Sequence, residues 1–181
     1  VHCRINELGR LKEKHDVPKE LDWDLWLGPA AYRPYHPFYL PGSWRAWSPF
    51  GSGTIGDWIC HVVDPSFWAL DLGSPSSIQA DIDENYAPDR HADTFPAGSR
   101  IRFVFPAKTG KKKRGPVTLY WYGGTRRIPH PPGLEKSKQP PRTGAVVLGD
   151  KGGIIHGSHG AGGVRLFPDE KMKAYKQPEK T

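Results

Sequence analysis

The chain's 181 residues are enough for one domain with a real core, whereas about 55 to 65 would already be marginal. Its 21 glycines and 19 prolines, against 36% hydrophobic residues, exclude a helical bundle, because an interior Gly costs a helix about 1 kcal/mol and an interior Pro about 3. The formal charge of +7 favours anionic partners through long-range attraction but decides neither fold nor activity.

Residues 1–20 are polar and charged; a short strand is expected at Val1 to Ile5, and otherwise an arm or linker. The start at Val1, without Met and without the pattern of a signal peptide, suggests a processed product or a lost upstream region. Residues 21–50 are aromatic throughout, with Pro29, Pro34, Pro37, Pro41 and Pro49 excluding any long helix. Each large ring can bury about 150 to 250 Å², so this segment is expected to wrap a surface along a fixed, irregular path. Trp23 and Trp26 are spaced as on one short helical turn.

A helix is expected over 55–68, where Ile55, Ile59 and Val62 or Val63 form an apolar stripe near helical period. Gly51 and Gly53 precede it and permit a close backbone approach, while Pro65 either kinks the helix or begins a new one. Strands are expected at Ser77 to Ile82, Arg100 to Phe105, Val117 to Tyr122, Ala145 to Gly149, Gly153 to Ser158 and Gly163 to Leu166. A basic turn separates the second and third of these. Gly-Asp-Lys-Gly at 149–152 signals a hairpin, and a short helix is expected from Asp169 to Tyr175. The fold class is α+β: a mostly antiparallel β-sheet with one or a few packed helices, and a long aromatic, Pro-rich arm. Residues 1–50 are the arm and linker, and 51–181 the α/β domain. No run approaches 18 apolar residues, so no membrane span is expected.

The strongest local constellation is Gly53, Asp57, His61 and Asp64. Spacings of four and three put the three polar side chains on one helix face. An imidazole titrates near neutrality and can take and return a hydroxyl proton, while a carboxylate one turn away can orient it or accept a substrate hydrogen bond. Spacing alone favours a plainer structural cluster in which His61 hydrogen-bonds Asp57 or Asp64. A metal reading would add His91 or His36, but HExxH is absent and no metal is assigned. The two cysteines, Cys3 and Cys60, form neither a disulfide framework nor a metal-ligand pattern. There is no GxSxG elbow; the run Gly157-Ser158-His159-Gly160 falls between strands.

Lys111, Lys112, Lys113 and Arg114, with Trp121 and Tyr122 downstream, allow nucleic-acid binding, although a solvated turn is the better reading. Trp44, Arg45 and Trp47 suit a ligand pocket in which Arg45 clamps a polar or anionic group, or else serve as docking anchors for the arm. The glycines of GSGTIG lack the spacing and the preceding strand of a dinucleotide fingerprint.

The stretches LDWDLWLGPA, WRAWSPFGSGTIGDWICHVVD and VRLFPDEKMKAYKQPEKT resemble bacterial members of the Gfo/Idh/MocA oxidoreductase family. The resemblance implies the C-terminal substrate-side domain of a two-domain enzyme whose N-terminal Rossmann domain holds NAD or NADP. It also implies that His61 is the general acid/base and that Asp57 orients substrate or tunes the ring, and Asp64 matches a following acidic position; with the pocket reading of Trp44, Arg45 and Trp47, these four are the expected substrate contacts. The nucleotide loop and the Glu-Lys-Pro motif of such proteins have no counterpart in these residues, and the chain ends where relatives continue into a further helical region. The expectation is therefore a substrate-binding and oligomerisation portion of a sugar or polyol oxidoreductase. It would be inactive alone and bind no cofactor itself, with the missing Rossmann domain and further copies, through the sheet, as partners. Cytoplasm or periplasm would depend on the upstream sequence. A noncatalytic carbohydrate-binding module is the alternative, and a basic nucleic-acid adaptor ranks below it.

Overall fold

A computed structural model describes residues 11, 13–89, 91, 93–111 and 113–179. The strand expected at Val1 to Ile5 lies outside the described residues. The chain divides into two compact units, one of residues 1–58, 78–103 and 119–126, the other of 59–77, 104–118 and 127–181.

The first unit is built on the aromatic arm. Helix α1, Trp23–Leu27, begins where the Asp22 carboxylate accepts the Leu25 N–H at 2.9 Å, and ends at Gly28, whose N–H reaches the Asp24 carbonyl at 3.1 Å. Two 3₁₀ turns follow, Pro37–Tyr39 and Trp44–Ala46. Trp23, Leu27, Tyr35, Tyr39, Ala46 and Trp47 form a buried cluster against which Leu21, Trp26, Leu40 and Phe50 pack. An irregular proline-rich path leaves backbone carbonyls without ladder partners, and the indoles supply donors. Trp23 Nε1 donates to Arg33 O at 2.9 Å, Trp26 Nε1 to Tyr39 O at 3.1 Å and Trp47 Nε1 to Phe38 O at 3.0 Å.

Helix α2 spans Gly53–Ala69 and continues through Pro65, so the proline neither ends the helix nor starts another. Strands β1 (Ser77–Ile82), β2 (Gly98–Phe105) and β3 (Val117–Gly124) form a three-stranded sheet in that order. A second three-stranded sheet, in the other unit, has the order β4 (Gly144–Gly149), β5 (Gly152–Gly157), β6 (Arg165–Phe167). The strands thus divide between two small, mostly antiparallel sheets. Gly149 pairs with Gly152 across the expected two-residue hairpin, and α3 (Asp169–Ala174) follows β6.

The basic turn proves to be a staple within the second unit. A bridge between Lys108 and Arg114 closes it, and Lys108 pairs with Asp71. The Arg114 guanidinium donates to the carbonyls of Leu70 (2.7 Å), Leu72 (3.0 Å), Pro106 (2.7 Å) and Gly115 (3.0 Å). It therefore satisfies carbonyls just past the end of α2, where a cation is favoured. Replacing Arg114 by Ala should lower unfolding stability by about 1.5–3 kcal/mol, since charged hydrogen bonds are lost. Lys should not restore it, lacking the planar fork. Chemical denaturation of the three proteins measures both.

Candidate active site

In the first unit, Gly53 opens α2 with φ +69, and a Cβ there would lie 2.8 Å from the Phe95 ring. Glycine is needed both for the backbone conformation and for the approach. The preceding turn folds tightly enough that a Cβ on Gly51 would sit 3.0 Å from Arg45 Cα. This fold-back brings Arg45 Nε to 2.8 Å from an Asp57 carboxylate oxygen, with both side chains about a third exposed, while the guanidinium lies 4.6 Å over the Trp44 ring. Arg45 is thus a counter-ion for Asp57, at ion-pair distance in a partly exposed setting.

In the second unit, His61 is exposed on α2. Pro65 has no N–H, so the helix does not supply the usual donor to the carbonyl four residues back, which is that of His61. The N–H of His159 takes that carbonyl at 2.9 Å. The His159 ring stacks on the His61 ring with centroids 4.6 Å apart and an interplanar angle of 29°, and its Nδ1 lies 2.8 Å from Ser158 Oγ. His159 (φ 56) and Ala161 (φ 60) both adopt the left-handed region, which costs a non-glycine residue about 1–3 kcal/mol. Asp64 is exposed one turn beyond His61.

The family model of the C-terminal α/β domain of the Gfo/Idh/MocA oxidoreductases matches residues 7–110, more than half of the chain. The chain belongs to this family. None of the curated proteins matches it. The match runs through the aromatic arm, α2, β1 and β2 and closes in the basic turn, so of the three resembling stretches it contains the first two and not the C-terminal one.

Within this Gfo/Idh/MocA domain, the residues singled out from the sequence fall into distinct environments. Trp47 is only 1% exposed, so its ring packs in the arm's core rather than facing a ligand. Trp44 is half-buried under Arg45, and His61 and Asp64 reach solvent. His159 and Ser158 were not joined to this site by sequence: the proline signals a released carbonyl, but nothing local says which residue meets it. A 3₁₀ turn rather than a strand precedes the glycines of α2, so that glycine run does not form the dinucleotide-binding loop of a strand-turn-helix unit.

His36 and His91, weighed as metal ligands beside His61, are engaged locally. His91 Nδ1 accepts the Ala87 N–H at 2.9 Å. His36 is buried beside Glu13 and His15, and one ligand-type atom from each of these three lies within 4.8 Å of the others. A metal bound through Nε2 of a neutral imidazole needs its proton on Nδ1, but His36 Nδ1 accepts the Phe38 N–H at 3.1 Å. That bond sets the opposite tautomer, so the trio does not suit a metal. Burial, followed by the neighbouring His15, holds His36 below its ordinary value of 6.5, with Glu13 opposing. A histidine lowered on folding contributes stability that is complete above the unfolded value and is lost as pH falls through the folded one. The protein should therefore lose stability on acidification below about 6.5, and His36→Asn, which keeps an acceptor for Phe38, should flatten that part of the profile. Thermal midpoints measured across the range provide the check.

Proposed function

We propose that this domain is the substrate side of an NAD(P)-dependent oxidoreductase acting on a sugar or polyol, with His61 managing the proton of the reacting hydroxyl. The observation that carries the reading is an exposed imidazole on α2, one helical turn from a carboxylate that already has its counter-ion. Asp57, neutralised by Arg45, is suited to accept a hydrogen bond from a neutral hydroxyl. Trp44 and Asp64 are kept as proposed substrate contacts, while Trp47 lies in the core of the arm. In this reading the nicotinamide is held by a separate nucleotide-binding domain, which the family's description of this region as a C-terminal domain supports.

Self-association through the β1-β2-β3 sheet belongs to the same reading. The edge strand β1 exposes Ile78 (61%) and Ile82 (38%), four residues apart on one face of the strand. Light scattering measures the solution mass directly. The stacking platform of a noncatalytic sugar binder is not favoured, since the Trp47 ring is inside the core and Arg45 covers one face of Trp44. Substitution of His61 in the full-length protein, with turnover and unfolding followed together, is the deciding experiment.

A further inference from the structure

The geometry points to His159 as a positioning residue that holds the His61 ring in its working orientation, docked there by the carbonyl that Pro65 releases from α2. The inference rests on the acid/base reading of His61. An imidazole exposed on a helix samples several rotamers about two side-chain bonds. A second ring packed flat against it, at 4.6 Å and 29°, removes much of that freedom.

The second ring is itself fixed on two sides. Its backbone N–H lies 2.9 Å from the His61 carbonyl, and its Nδ1 lies 2.8 Å from Ser158 Oγ. The turn that carries it is closed by the Gly157 N–H on the Gly162 carbonyl at 2.7 Å. Two non-glycine residues in the left-handed region, His159 and Ala161, persist within this short turn. Such conformations are retained where surrounding contacts over-determine them, and they gather where a side chain must be aimed. Pro65 gives the arrangement its anchor: with a donor at position 65, the helix would compete for the same carbonyl. Proline in the interior of a helix is otherwise unfavourable, and here its missing N–H leaves the acceptor on which His159 docks.

The test uses the full-length protein. His159→Ala should lower kcat by about 10- to 100-fold with KM little changed, because misplacing a reacting group by about 1 Å has effects of that order. His159→Phe should restore most of kcat, since phenylalanine offers the same flat face without ring nitrogens. Pro65→Ala should lower kcat in the same direction, although alanine is a better helix former. In histidine-labelled protein, the His61 ring signals should shift in His159→Ala and return toward their original positions in His159→Phe. Unchanged kcat in His159→Ala, alongside lost turnover in His61→Ala, overturns the positioning role and leaves the acid/base reading standing. A raised KM that Phe fails to rescue also overturns it, by placing His159 on the substrate. Full turnover in His61→Ala overturns the acid/base reading and this inference together.

Discussion

His61→Ala in the full-length protein should depress kcat by about 10²- to 10⁴-fold, the usual contribution of a positioned general acid/base. The unfolding midpoint should move far less. His61 is exposed, so removing its ring opens no buried cavity, and the stack it loses is with His159, itself exposed. The measurement is steady-state turnover over a range of pH beside a denaturation curve for each protein. An acid/base group acts on the chemical step, so kcat and kcat/KM should fall together. Turnover equal to that of the unsubstituted protein would remove His61 from the reaction.

Trp47→Ala should have the opposite signature, a large loss of stability. Trp47 is the most deeply buried large side chain described, 1% exposed, and its ring lies edge-on to Tyr39 at 4.8 Å. Truncation of a buried Trp costs about 3–5 kcal/mol through lost transfer energy and the residual cavity. It also leaves the Phe38 carbonyl without the indole donor at 3.0 Å. Domains are commonly stable by only about 5–15 kcal/mol, so a loss of this size should appear as a large fall in the denaturation midpoint. Trp47→Phe should recover part of it by refilling the ring's space, though not the hydrogen bond.

Much of the secondary structure was legible because it depends on local chemistry. The apolar stripe of α2, the β-branched and aromatic runs of β2 and β3, and the Gly-Asp-Lys-Gly hairpin all appear within a residue or two of their expected bounds. The helix expected over 55–68 already included Pro65, with a kink or a new start left open there, and α2 runs through it without a new start. The carbonyl left by the missing N–H is accommodated by a residue far along the chain, and local propensity does not register such a partner. The role of Arg114 was hidden for the same reason: its run looks solvated, yet the guanidinium gathers carbonyls from around Leu70 and Leu72.

For the candidate site, spacing on one helix was enough to select Asp57, His61 and Asp64, because helical period alone puts them on one face. Which of them carries a counter-ion, which carries a stacked ring, and which indole is a core anchor rather than a contact surface were decided only by tertiary folding. Arg45 reaches Asp57 through the close turn at Gly51, and His159 reaches His61 through the Pro65 carbonyl. The sequence by itself determined the family, the helix and the residue types that can move a proton. The tertiary structure determined their partners, because hydrogen bonds, ion pairs and ring stacks join residues whose separation along the chain sets no limit on their distance in space.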